Sequence, residues 1–156
     1  MRSVLRVLLL LVLAGAALAC GRPFAAATPP GFVEFEGRYA DGEYRAATPD
    51  GVVLGIRAFD NEPKGELSFW VRAIQNRLRD QGGYALLETR PVQDRAGLKG
   101  TQMRFGHDEE KSPHLYHLVV FVTEDRVYLL EAGGQKAQIE RLGPQLDWWV
   151  KSFLHR

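Results

Sequence analysis

From Leu115 to Val122, and again from Val127 to Ala132, the chain is apolar at almost every position, and the tetrapeptide Thr123-Glu124-Asp125-Arg126 between the two runs is polar. Two short apolar runs around a polar turn predict a β-hairpin. Successive side chains on a strand point to opposite faces, so Leu115, Val119 and Phe121 share one face while Tyr116, Leu118, Val120 and Val122 share the other. Neither set is polar. The hairpin is therefore expected at the centre of a sheet covered on both sides.

Around this centre the pattern predicts further elements. Phe32 to Glu36 alternates apolar and polar, Asp41-Gly42 marks a turn, and Glu43–Ala47 and Gly51–Phe59 read as strands joined by the tight turn Thr48-Pro49-Asp50-Gly51. Asp60 to Gly65 is a loop. Leu67, Trp70, Val71, Ile74, Leu78 and Gln81 fall on one face of a helix, which Gly82-Gly83 stops. Phe69 lies opposite that face, and the segment around Phe32 and Phe35 is expected to pack over it. Tyr84–Arg90 and Leu98–Phe105 read as strands joined at Gln93 to Gly97, followed by a polar loop from Gly106 to Pro113. Gly133-Gly134 reads as a strand-to-helix turn. The last helix carries Ile139, Leu142, Leu146, Trp149, Val150 and Phe153 on one face, with a kink or restart at Gly143-Pro144. Two amphipathic helices and a sheet apolar on both faces predict an α+β fold, a largely antiparallel central sheet with helices on both faces, an α/β/α sandwich.

Composition narrows the class of molecule. The 156 residues are 46% hydrophobic and 25% charged, which suits one globular domain. Twenty basic and 19 acidic side chains give a formal net charge of +1, without the basic footprint that nucleic acid requires. A lone cysteine, Cys20, excludes an intramolecular disulfide framework. Ahead of it, Arg2 and Arg6 precede an apolar run that is short for a membrane-spanning helix, so residues 1–19 read as a signal peptide. Loss of those two arginines with the leader takes the formal charge from +1 to −1. Residues 20–31, with Pro23, Pro29 and Pro30, read as a flexible tether on which Phe24 dangles, and residues 32–156 as a single domain.

Two resemblances follow from these residues. Ala17-Leu18-Ala19-Cys20 resembles a bacterial lipoprotein box, which implies lipidation of Cys20, palmitate among its acyl chains, and a membrane contact through the N-terminal lipid. Gly21 resembles the exported class, which implies the periplasmic face of the outer membrane. Ordinary signal peptidase cutting after Ala19 would instead leave a secreted chain with a free cysteine. From Phe32 onward, the order strands, helix, four strands, helix is similar to the PsbP-like fold, which includes the DcrB-like lipoproteins. The similarity rests on Phe69-Trp70, Gly83-Tyr84-Ala85-Leu86, Gly100 to Phe105, Tyr128 to Gly134 and Val150-Lys151-Ser152-Phe153. It implies a binding or assembly protein of the cell envelope with no cofactor and an unidentified protein partner.

Candidate chemistry is sparse. His107, His114 and His117, with Asp108, Glu109 and Glu110, are the densest metal-capable cluster, yet His114 and His117 face opposite ways if both lie on a strand. Convergence of His107 with another histidine is expected only if His114 sits in a loop. No serine occupies a Gly-x-Ser-x-Gly elbow, and no phosphate-loop pattern is present. Trp148 falls opposite the apolar face of the last helix, beside Arg141, Gln145, Lys151 and Ser152, and is the candidate for partner contact. A cation–π contact with Arg141 or Lys151 is the competing explanation. The functions left are a tethered, non-enzymatic binding or assembly module, a carrier of a small apolar or lipidic ligand, and a metal-dependent hydrolase.

Overall fold

The computed structural model describes residues 21–35, 43–109 and 112–156. Along them run β1 (Phe24–Ala25), β2 (Val33–Glu34), β3 (Tyr44–Ala47), β4 (Val53–Asp60), α1 (Leu67–Gly82), β5 (Ala85–Gln93), β6 (Lys99–Glu109), β7 (Ser112–Val122), β8 (Arg126–Gln135), α2 (Lys136–Arg141), α3 (Gly143–Ser152) and β9 (Leu154–His155). Seven strands form one antiparallel sheet in the order β2-β3-β4-β8-β7-β6-β5, and β1 pairs with β9 in a two-stranded ribbon. The α+β sandwich is thus the observed class.

The predicted hairpin is β7 and β8, with β8 at the middle of the sheet. Leu115, Val119 and Phe121 pack in the core beneath α2 and α3, with Tyr128, Leu130, Trp149 and Phe153. Leu118 and Val120 pack in a second core beneath α1, with Met103, Phe105, Val127 and Leu129. Alternation along one strand therefore feeds two cores.

Gly83 ends α1 in the left-handed region, at φ 65°, and its N–H caps the Leu78 carbonyl; glycine alone enters that region without a Cβ penalty. Pro144 restarts the helix after Leu142, giving α2 and α3 in place of one. The two covers differ in depth. α3 buries Leu146, Trp149 and Val150, whereas α1 buries no residue fully.

Several expectations are corrected. Phe24 does not dangle: it is 3% exposed and packs on Phe153, because residues 24 and 25 pair with β9 and the Arg156 N–H bonds the Pro23 carbonyl. Within the stretch expected as a loop, Gly106 to Glu109 and Ser112 to Pro113 are strand, paired across β6 and β7 out to Glu109 and Ser112. Gly133 and Gly134 lie within β8, opposite Tyr116 and Leu115. A Cβ at Gly134 would lie 3.0 Å from Val52, so the strand needs glycine there for close approach. Phe69 is 47% exposed, while Phe32 packs in the core on the other face of the sheet. The leader and Cys20, Glu36, the Asp41-Gly42 turn and Glu110 lie outside the described residues.

Candidate functional site: a polar cleft between α3 and β5

On the α2–α3 side of the sheet, the outer strands carry polar side chains into the space beside the helices. Register sets Arg90 opposite Gln102, Glu88 opposite Arg104, and Arg104 opposite His117. Opposed residues point to the same face, so these five side chains form one floor. Arg104 donates from Nη1 to Glu88 at 2.8 Å and from Nε to His117 Nε2 at 3.2 Å. Arg90 donates to Gln102 and to Asp147 of α3, which ties the edge strand to the helix.

The electrostatics of this floor are settled internally. His117 is 7% exposed, and burial, then the positive charges of Arg104 and Arg90, push its pKa down to about 4. Its Nε2 accepts from Arg104, so the ring proton belongs on Nδ1. A neutral imidazole whose acceptor nitrogen is already engaged is a poor general base.

Arg90 and Asp147 line a cavity of about 810 Å³ together with Val92, Lys99, Gly100 and Lys151. A second cavity of about 560 Å³ lies where Glu88 and Arg104 meet Lys136 and Glu140 of α2. Asp94 stands at the end of the first. Its burial opposes ionisation, but hydrogen bonds from His155 and from the backbone N–H groups of Leu98, His155 and Ala96 outweigh that and hold its pKa below the usual value. Trp148 follows Asp147 on α3, and the cavity is lined from that helix by Asp147, Val150 and Lys151. The indole is 47% exposed.

The sequence-derived candidates are placed as follows. His107 and His114 are direct cross-strand partners on β6 and β7. Strand pairing, not a loop, brings these two together, which corrects the expectation for His114. His107 stacks near Tyr84 at 4.8 Å between ring centres, and His114 Nδ1 lies 3.0 Å from the Ser112 carbonyl. His117 is on the opposite face, in the cleft floor. Among the described residues, no group of three or more His, Cys, Asp or Glu side chains is placed to hold a metal ion. Arg141 belongs to α2 and pairs with Asp50 at 2.5 Å. The cation–π contact found among the described residues is that of Arg22 over Tyr44, 5.6 Å from the ring centre. Glu88, Arg90, Gln102, Arg104 and Asp147 were not singled out from the sequence. Their signal is a polar residue at every second position of two neighbouring strands.

No family model and no curated protein sequence matches the chain. Solved structures do match in fold. LpqN of Mycobacterium tuberculosis, described as involved in cell envelope biogenesis, superposes with a TM-score of 0.62 at 11% identity, over 84% of this chain and 82% of that one. Cyanobacterial PsbP from Synechocystis gives 0.59 at 12% identity, over 86% and 88%. A Bacteroides thetaiotaomicron protein gives 0.53 at 18% identity over 86% of this chain, which spans only 45% of its length. The fold is PsbP-like. Among the described residues, no helix is long and apolar enough to cross a membrane.

Proposed function

We propose that this chain is a lipid-tethered protein of the cell envelope that binds a partner through the α3–β5 cleft and performs no catalysis. The observation that carries the binding role is the cleft itself. Its arginines are engaged by Glu88, Asp147, Gln102 and His117, the His117 imidazole is held neutral, and the exposed Trp148 follows Asp147 on α3. Paired charges beside an aromatic anchor suit recognition rather than proton transfer. The tether rests on the leader and on Ala17-Leu18-Ala19-Cys20, and the outer membrane on Gly21. The involvement of LpqN in cell envelope biogenesis agrees with this. Full-length protein made in a Gram-negative host should incorporate labelled palmitate and sediment with membranes, and Cys20→Ser should do neither. A processed Cys20→Ser protein that still sediments with membranes overturns the tether.

A second reading, carriage of a small lipidic ligand, is favoured by the 810 Å³ cavity, which places Val92 and Val150 among its lining beside Lys99 and Lys151. Native mass spectrometry of the mature protein from its own host separates the two. A bound small molecule supports carriage, and a bare chain supports the binding module.

A further inference from the structure

The seven-stranded sheet ends in two unequal edges. β2 offers two residues at one, Val33 and Glu34, whereas β5 offers nine at the other, Ala85 to Gln93. Among the described residues, no strand pairs with the outer side of β5. Leu86 and Leu87 on that strand are 37% and 61% exposed. A long open edge flanked by apolar side chains is a template on which another strand can add.

Hydrogen-bonded and non-hydrogen-bonded pairs alternate along an antiparallel ladder. Pro91 carries no N–H, yet it lies opposite Thr101, and the flanking pairs Arg90–Gln102 and Val92–Gly100 continue the ladder. Pro91 therefore holds a non-hydrogen-bonded place, its ring nitrogen directed away from β6. The turn gives the same phase: the Asp94 N–H bonds the Leu98 carbonyl at 3.0 Å, and every second residue back from Asp94, Val92 and then Arg90, bonds β6 in turn. Thr89, Pro91 and Gln93 thus turn their backbone groups to the open side, and all three are exposed. Thr89 and Gln93 each offer an N–H there. Between them Pro91 offers a ring.

We infer that Pro91 keeps β5 from pairing with β5 of a second copy of this chain. The strand itself selects that occupant and its register. The bulge between Leu86 and Glu88 ends the regular edge, which leaves Thr89, Pro91 and Gln93 as the outward residues. That set is symmetric about position 91, so two antiparallel copies use all of it only when 91 lies on the two-fold axis, with 89 opposite 93 on either side. An ordinary residue at 91 would exchange a pair of hydrogen bonds with its mate; proline donates neither and sets ring against ring. Residues 90–93 also line the 810 Å³ cavity, so an edge kept free of a second strand leaves that wall open to other partners. The inference holds whether or not Cys20 is acylated.

The test uses the full chain with Cys20→Ser, so that no acyl chain drives association. Pro91→Thr restores an outward N–H and removes no bond to β6. Sedimentation should then show the monomer of the parent chain giving way to a dimer as concentration rises, and amide exchange at Thr89 and Gln93 should slow by about tenfold. Adding Thr89→Pro moves the proline two positions along the same edge and should return the chain to a monomer. A Pro91→Thr chain that keeps the parent circular dichroism, stays monomeric and leaves those two amides exchanging as before overturns the inference. So does association that survives Thr89→Pro, or a parent chain already dimeric with Thr89 and Gln93 protected. Should Pro91→Thr not fold, Pro91→Ala supplies the same N–H and is read in the same way.

Discussion

Arg104 directs its Nε–H at His117 Nε2 from 3.2 Å, so a cationic donor holds a buried imidazole in its neutral form. The pKa of His117 lies near 4 in the fold, against an ordinary 6.5. Unfolding frees the ring to bind a proton below pH 6.5, so the stabilisation from the neutral ring is complete above pH 6.5. It is lost as the pH falls toward 4, by up to about 3 kcal/mol. His117→Gln keeps an acceptor for Arg104 and does not titrate. Urea midpoints at pH 7 and pH 4.5 should fall further for the wild type than for the variant, and parallel losses would show that His117 is not the titrating group.

Asn61 is 4% exposed and joins three pieces of chain. Its Oδ1 accepts from the Gly65 N–H and from Trp70 Nε1 at 2.7 Å, and its amide donates to the carbonyls of Gly65 and Thr123. Asn61→Ala leaves these buried groups unpaired and should cost about 3 kcal/mol. Exposed Glu62→Ala should stay within about 0.5 kcal/mol of wild type. Equal denaturation midpoints for the two variants would remove Asn61 from this role.

Gly100 lies against an aromatic ring. A Cβ there would fall 2.4 Å from the Phe121 ring and 2.7 Å from the Val120 carbonyl oxygen. Gly100→Ala should cost about 2 kcal/mol by overpacking. Adding Phe121→Leu should recover part of that cost in a double-mutant cycle, because the smaller side chain vacates the contested space. Strict additivity would mean that the ring is not the obstacle.

For Trp148, a chain with Trp70→Phe and Trp149→Phe keeps it as the sole indole. Its emission should be that of a partly hydrated ring and should be quenched by acrylamide. The Trp149 Nε1 is buried without a partner among the described residues, so that change gives up no hydrogen bond seen there, whereas Trp70→Phe removes the donor to Asn61. Circular dichroism should therefore accompany the measurement. A blue, quench-resistant spectrum would withdraw Trp148 from the contact surface.

What the chain disclosed in advance follows the reach of its signals. Hydrophobic period placed β7, β8, α1 and the α2–α3 face, because Val119, Val120, Ile74 and Trp149 each reflect a local alternation enforced by burial. Segment 22–25 reads as tether because its partner is β9, about 130 residues along the chain, and proline with alanine carries no local sign of such pairing. Gly106 to Pro113 looked like a loop because the hairpin continues past the core, where polar side chains suffice on both faces. Of the cleft, the sequence marks only His117. Glu88, Arg90, Gln102 and Arg104 become a floor only once strand register is known, and Asp147 joins them only when α3 is docked.

The ribbon of β1 on β9 also decides where a mechanical load enters the molecule. A pull applied ahead of Arg22 reaches Phe24, which is paired to His155 and packed on Phe153. Phe153 in turn stacks on Phe121 at 5.3 Å. Tension from the N-terminal side thus meets the Arg22–Glu34 ion pair and then the β1–β9 pairing, which passes it across to the far end of the sequence and into the central strands. Beyond that ion pair, the load is carried by a clasp of only two residues a side, Phe24 with His155 and Ala25 with Leu154.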